Sequence, residues 1–140
     1  MAEPAYWLLK TEPETYGFTQ LLADKRTNWN GVRNFQARNN LRKIAKGDLA
    51  LIYHSGDAKA VVGIAKVVRE GYVDPDVEGG DWTQVDIAPV AAFVREVSLK
   101  EIKSTKALET LPLIKQSRLS VMPLSGEHFT MLVEMSKSRK

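Results

Sequence analysis

The middle of the chain alternates β-branched apolar segments with turns, and this pattern constrains the fold more than any other part of the sequence. Residues 48–53, 60–73 and 83–97 each predict a strand, and the turn residues that begin at His54 predict a hairpin between the first two. Gly63 indicates a bulge or a close backbone approach. Few predicted helices connect consecutive strands as βαβ crossovers would. We therefore expect an α+β fold, a mixed, largely antiparallel β-barrel flanked by short helices.

Short elements are predicted before this region. Tyr6–Leu9, a short apolar and aromatic run, predicts a buried first strand. Thr19 is expected to cap a helix over residues 20–23, and Asn34 is expected to cap a second helix over residues 35–44. The N-terminal part should therefore contain one strand and two helices.

Two further helix starts follow the strand region. Ser98 and Glu101 form the capping-box pattern, which predicts short helices within residues 99–115. A short strand is expected within residues 117–124, and Ser125 is placed to cap a final amphipathic helix. The C-terminal part should therefore be mainly helical.

Length and composition exclude several classes of protein. At 140 residues the chain fits one domain, which we expect to span residues 1–136 before a basic tail at residues 137–140. Cysteine is absent, which excludes disulfides and thiolate chemistry, and only two histidines argue against a metal site. No apolar run approaches the roughly 20 residues that cross a bilayer. We expect a monomer that uses no metal, cofactor or membrane.

The charges are segregated along the chain. Every charged residue between positions 25 and 47 is basic, and every one between positions 71 and 94 is acidic. The basic residues are Lys25, Arg26, Arg33, Arg38, Arg42, Lys43 and Lys46. Arg38, Arg42 and Lys46 recur at steps of four, which predicts a basic stripe on the second helix. Such a surface attracts a polyanion, and the alternative interpretation is two solvated faces that aid solubility.

Aromatic residues favour the first interpretation. Trp29 stands between Asn28 and Asn30 in a predicted loop. In that context, a role as a pocket wall and a role in the core are equally favoured. Trp7 lies in an apolar run and is expected in the core, whereas Trp82 is a second pocket wall or a loop anchor. Aromatic faces with forked Arg and Asn donors suit stacking on, and hydrogen bonding to, planar bases. The pattern therefore indicates nucleobase recognition.

Signatures of catalysis are few. His54 beside Ser55 suggests a base and a nucleophile, but neighbours on a strand point to opposite faces, and a turn is the favoured interpretation. Glu12 and Asp48 are possible acid or base groups without an identified reacting partner, and either is an alternative ion-pair partner for Arg33. No glycine-rich phosphate loop is recognised. The sequence therefore favours binding over catalysis.

Several motifs, in order, resemble the EVE domain family over nearly the whole chain. They are Trp7-Leu8-Leu9-Lys10-Thr11-Glu12-Pro13, the stretch from Trp29 to Asn39, Gly47-Asp48, Tyr53-His54-Ser55, Val62-Gly63-Ile64-Ala65 and the stretch from Arg118 to Leu124. The resemblance implies a PUA-like fold related to YTH domains, which read methylated adenine in RNA through an aromatic cage. It also implies a non-enzymatic reader of modified bases, chiefly modified cytosines in DNA.

The resemblance assigns site residues motif by motif, with Trp29 as the cage tryptophan and Trp82 as a candidate second wall. The expected ligand-binding residues are Lys10, Thr11, Glu12, Trp29, Val32, Arg33, Asn34, Tyr53, His54, Ser55 and Trp82, with Arg118, Ser120 and Val121 at the pocket floor. Arg38, Arg42, Lys43 and Lys46 are expected to contact the nucleic-acid backbone, because aromatic stacking alone does not offset the cost of extruding a base.

The leading hypothesis is therefore a module that binds a modified nucleobase, with a modified cytosine in DNA as the expected ligand. The alternatives are an RNA-binding PUA-like module, an enzyme acting on nucleotides or nucleic acid, and an adaptor for an acidic protein. The expected location is the cytoplasm in a bacterium and the nucleus in a eukaryote.

Overall fold

A mixed sheet of six strands organises the described part of the protein. The computed structural model describes residues 5–29, 35–56, 58–73, 83–115 and 119–137. Within them the strands are β1 (Tyr6–Thr11), β2 (Thr27–Trp29), β3 (Leu49–His54), β4 (Ala60–Val73), β5 (Thr83–Ser98) and β6 (Val121–Leu124). The order is β2-β5-β4-β3-β1-β6; β1 and β3 are parallel, and the other neighbours are antiparallel. The predicted largely antiparallel architecture is confirmed, as a curled half-barrel.

Short helices flank the sheet, as predicted. They are α1 (Pro13–Tyr16), α2 (Phe18–Asp24), α3 (Phe35–Lys43), α4 (Leu99–Ser104), a 3-10 helix (Lys106–Leu108), α5 (Pro112–Lys115) and α6 (Gly126–Lys137). The capping box is confirmed, because Ser98 Oγ accepts the Glu101 N–H at 3.1 Å and Glu101 Oε1 accepts the Ser98 N–H at 3.4 Å. Ser125 Oγ accepts the His128 N–H at 3.1 Å, which confirms the cap of α6.

The N-terminal elements differ from the prediction. Helix α2 begins at Phe18, so the expected cap Thr19 lies inside the helix, and Gly17 precedes it. Helix α1 and strand β2 were not predicted. Trp29 therefore lies in a strand and not in a loop, because β2 pairs with β5 and places Trp29 opposite Val85.

The helix predicted from Asn34 onward is α3, and it is shorter than predicted. It ends at Lys43, so Lys46 does not extend a helical basic stripe. The physical cause lies just beyond the helix, where Asp48 Oδ2 accepts the Ala45 N–H at 2.9 Å and Gly47 adopts a φ of +96°. This turn directs the chain into β3.

Asp48 joins this turn to the first strand. Its carboxylate is 5% exposed, and Oδ2 also accepts the indole N–H of Trp7 at 2.9 Å, while Oδ1 accepts the Ala5 N–H at 3.0 Å. Trp7 is 5% exposed and packs in the core, as predicted. With the Ala45 N–H, three donors surround the Asp48 carboxylate, which offsets the cost of its burial.

Strand β4 is irregular around Gly63, as the sequence indicated. The β3–β4 register shifts between Ile52 and Tyr53, and the β4–β5 register shifts between Val61 and Gly63. A Cβ on Gly63 would lie 2.5 to 2.7 Å from three atoms of the Phe18 ring. The missing side chain therefore lets α2 press Phe18 directly against the sheet.

Candidate functional site

Several of the predicted motifs converge at one end of the sheet, which we call the motif end. The parallel strands β1 and β3 finish there at Thr11 and His54. Strand β4 begins there at Ala60, which pairs with His54 on one side and with Ser98, the last residue of β5, on the other. Strand pairing therefore brings together motifs that lie far apart in the chain.

Hydrogen bonds and a cation–π contact connect these motifs. Ser55 donates to the Thr11 carbonyl through its N–H at 2.9 Å and through Oγ at 3.3 Å. The Ser120 carbonyl accepts the Lys10 N–H at 2.9 Å. Lys10 Nζ lies 5.7 Å from the centroid of the Tyr53 ring, and burial lowers the pKa of Lys10 and raises the pKa of Tyr53. Five predicted site residues thus form one connected group.

An apolar cavity lies beside the motif end, between the sheet and the α1–α2 segment. It is lined by Thr11, Tyr16, Gly17, Phe18, Leu21, Trp29 and Ile52, and we call it the Trp29 cavity. The space between these side chains is nowhere wide enough for a water molecule. A planar ligand could enter only after the α1–α2 wall moved.

Trp29 is both a wall of this cavity and a core residue. Its side chain is 8% exposed, and the Tyr16 ring meets it edge to face, with the ring centroids 6.4 Å apart. Tyr16 is held by its hydroxyl, which donates to Asp24 Oδ2 at 2.8 Å, and by its carbonyl, which accepts from Thr11 Oγ1 at 2.7 Å. The core position that the sequence left open for Trp29 is therefore observed, and its role as the wall of a ligand pocket stays a prediction.

His54 anchors the α2 side of the cavity. Its Nε2 accepts the Phe18 N–H at 3.0 Å, which requires that this nitrogen carry no proton. Burial lowers the pKa of His54, and the charge of Glu96 opposes part of that shift. Because Ser55 Oγ donates to the Thr11 carbonyl, His54 and Ser55 are not arranged as a base and a nucleophile.

Acidification should weaken this anchor. The lowered pKa means that the folded state favours the neutral ring, so its stabilisation is complete above the ordinary value of 6.5 and declines as the pH falls below it. Urea unfolding between about pH 5 and pH 8 measures the effect. The His54→Asn variant should lose this part of the pH dependence, and the His128→Gln control should retain it. An unchanged profile in His54→Asn would assign the dependence to other groups.

Glu12 and Val121 lie at the motif end without lining the cavity. Glu12 is exposed, and its carbonyl accepts the Tyr16 N–H at 2.8 Å where α1 begins. Val121 is fully buried opposite Leu9, and its carbonyl accepts from Asn40 Nδ2 at 2.7 Å. Val121 is therefore a core residue and not part of the floor of this cavity.

Three of the expected backbone-contact residues lie away from the motif end. Arg42 and Lys43 are exposed in the last turn of α3, and Lys46 is exposed in the turn before β3. Strand β3 runs from that turn to His54, a distance of about 17 Å at 3.3 Å per residue. These cations therefore form a surface near the opposite end of β3.

Part of the predicted site lies outside the described residues. This applies to Val32, Arg33, Asn34, Trp82 and Arg118, and to the side chain of Arg38. Within the described ranges, no group of three or more His, Asp and Glu side chains could hold a metal ion. No helix of the described chain is long and apolar enough to span a membrane.

Five cavity residues were missed by sequence reasoning. One is Ile52 of β3, and the other four, Tyr16, Gly17, Phe18 and Leu21, come from the α1–α2 segment, directly after the matched motif that ends at Pro13. The available signal was a pair of aromatic residues on either side of a glycine, next to that motif. The local sequence does not show where the Phe18 ring packs, because the ring contacts Gly63 on the distant strand β4.

Comparisons with known proteins agree with this architecture. The EVE domain family matches residues 5–135. Thymocyte nuclear protein 1 of Mus musculus is 32% identical, and the match covers 95% of this chain and 74% of the mouse protein. The crystal structure of Atu2648 from Agrobacterium tumefaciens has a TM-score of 0.90 and 38% identity, covering 94% of this chain and 92% of that chain.

One related structure contains DNA. Human THYN1, in complex with 5-methylcytosine containing DNA, has a TM-score of 0.87 and 31% identity, covering 97% of this chain and 99% of that chain. A fold likeness alone extends to ASCH from Zymomonas mobilis, with a TM-score of 0.59 and 15% identity over 95% of this chain and 96% of that chain. The predicted PUA-like fold is confirmed. Because the family match spans most of the sequence, the chain belongs to the EVE domain family.

Proposed function

We propose that this protein is a non-catalytic module that binds DNA carrying a modified base, with 5-methylcytosine as the first ligand to test. The observation that carries the proposal is the likeness to human THYN1, whose structure contains 5-methylcytosine DNA, over 97% of this chain. The position of Trp29 in a cavity beside the motif end supports an aromatic-walled site.

We infer that the modified base stacks on Trp29 after the cavity opens. Tyr16 and Phe18 cover this space from the α1–α2 segment, which is held to the sheet by hydrogen bonds to Thr11 and His54. Moving that segment would expose the Trp29 face while the strands stay in place. The segment would then close over the base and exclude water from it.

The energies require more than one aromatic contact. Stacking on an aromatic side chain contributes about 1–3 kcal/mol, and extruding a base costs a few kcal/mol. Phosphate contacts must therefore contribute to the affinity. A buried methyl group adds about 0.8 kcal/mol, or about four-fold in Kd, so stronger discrimination has to come from the shape of the closed cavity.

Binding without turnover agrees with how the described acid and base candidates are used. The Asp48 carboxylate accepts three N–H donors, and His54 Nε2 accepts the Phe18 N–H. Glu12 is exposed and does not line the Trp29 cavity. Asp48 and His54 are therefore used in structural hydrogen bonds, and the exposed Glu12 lies outside the cavity.

Matched oligonucleotides test the proposal. At one fixed salt concentration, we expect a duplex with a single 5-methylcytosine to bind at least about four-fold more tightly than the same duplex with cytosine, from methyl burial alone. Mass spectrometry should return every strand intact. The Trp29→Phe variant should keep its fold but lose most of the preference, whereas Trp29→Ala is unsuitable because removing a buried Trp costs about 3–5 kcal/mol.

Three results would contradict the proposal. Equal affinity for the methylated and unmethylated duplexes would show that the protein does not recognise the modified base. Tighter binding of RNA of the same sequence would favour an RNA-binding module. Cleavage or altered bases in the recovered strands would favour an enzyme.

A further inference from the structure

A second basic surface lies at the motif end and is distinct from the cations of α3. A groove of about 620 Å³ is lined by Ala58, Lys59, Ser98, Leu99, Lys100, Lys103 and Ser104, and we call it the lysine groove. Its described lining contains three lysines and no carboxylate. We propose that the lysine groove binds the phosphate backbone of the nucleic acid whose base enters the Trp29 cavity, an inference that rests on the proposed function.

The groove is built on well-fixed backbone. The Leu99 N–H donates to the Lys59 carbonyl at 2.7 Å, which ties the start of α4 to the residue before β4. Lys59 adopts a φ of +44°, a conformation uncommon for a side chain of this kind. Lys100 and Lys103 are three residues apart in α4, so their side chains lie on one face of the helix. Lys59, Lys100 and Lys103 therefore line one groove.

Nearby carboxylates do not cancel this charge from within the groove. Glu101 Oε1 accepts from Arg95 Nη1 at 2.7 Å and takes part in the capping box with Ser98. Glu96 lies on β5, where its charge acts on His54. Among the described residues, the lining therefore has an excess of three positive charges, which suits a row of phosphates more than a single neutral ligand.

The groove and the cavity are close enough for one strand to reach both. Ala60 pairs with His54 on β3 and with Ser98 on β5, and His54 holds Phe18 over the cavity. Two strand spacings, about 10 Å, separate Ser98 in the groove lining from His54 beside the cavity. A strand bound in the groove therefore passes within a few nucleotides of the cavity.

This placement differs from the one that charge patterning indicated. Lys46 lies in the turn before β3, a strand that runs about 17 Å to His54, and Arg42 and Lys43 lie in the last turn of α3, which leads into that turn. The lysine groove shares the motif end with Thr11 and His54. It is therefore the better placed of the two surfaces to act together with the cavity.

Salt dependence tests the inference. The double variant Lys100→Gln/Lys103→Gln is compared with Lys66→Gln/Lys115→Gln, which removes the same charge at exposed positions outside the groove. With methylated and unmethylated duplexes as probes, the first variant should lower the slope of log Kd against log salt by about 1.8, or about 0.9 for each lost phosphate contact. Its affinity for both duplexes should fall by the same factor, and the control variant should keep the wild-type slope.

The outcomes separate the two proposals. An unchanged slope in Lys100→Gln/Lys103→Gln, with methyl preference intact, would overturn the groove while leaving the proposed function in place. An equal drop in the control would overturn it as a general charge effect. The third outcome is a wild-type protein that binds methylated and unmethylated duplexes equally, with a reduced salt slope in the groove variant only. This result would overturn the proposed function and retain the groove as a backbone site. Thermal melting confirms that both variants fold.

Discussion

Asp48→Asn is expected to lower the free energy of unfolding by about 1–3 kcal/mol for each buried N–H that loses its acceptor, because it breaks a buried hydrogen-bond network. The carboxylate accepts the N–H groups of Ala5, Trp7 and Ala45, and Asp48 is only 5% exposed. An asparagine of nearly the same volume keeps one acceptor oxygen but turns an NH₂ group toward donors. At least one N–H is then left without an acceptor.

Urea unfolding at neutral pH measures this loss. Asp24→Asn is the matched control, because Asp24 is an exposed carboxylate that accepts one hydrogen bond, from the Tyr16 hydroxyl. Its cost should be below about 1 kcal/mol. Similar losses in the two variants would mean that the buried network around Asp48 contributes little.

Gly63→Ala is expected to cost about 1–3 kcal/mol and to abolish preference for a modified base. The new Cβ would lie within 2.7 Å of three atoms of the Phe18 ring, and Phe18 is only 4% exposed. The ring must therefore move, and it is a wall of the Trp29 cavity. Stability and base preference should change together, and both are measurable on the same preparation.

A second variant distinguishes this clash from a general effect of alanine in a strand. In a Phe18→Leu background the smaller side chain leaves room for the new methyl group, so Gly63→Ala should cost much less there than in the wild type. Denaturant titration of the four proteins in this cycle gives the coupling. Additive costs would show that the Phe18 ring is not what requires glycine at position 63.

Local patterns were enough to predict the long strands and both confirmed caps. Ser98 and Glu101 carry their interaction within four residues, so the sequence alone contains the whole motif. Strand β2 has only three residues and exists because β5 pairs with it, which no local pattern records. The burial of Trp29 likewise depends on Tyr16 and on the partner strand.

The candidate site was predictable only in pieces. Thr11 and His54 were recognised from separate motifs, but their meeting depends on the parallel pairing of β1 with β3. The lysine groove was not predicted, because Lys59 and Lys100 come from segments that are not continuous charge runs. Sheet topology, and not composition, creates that concentration of charge.

The position of β1 has a consequence for how the chain acquires its structure. This first strand pairs with β3 on one side and with β6 on the other, where Tyr6 lies opposite Leu124. A long loop between β1 and β6 must close before that second pairing forms, which makes folding slow, on the order of milliseconds to seconds. During synthesis β1 leaves the ribosome long before β6, so an unpaired apolar edge persists until β6 has been made. Truncation before β6 should leave that edge open to aggregation.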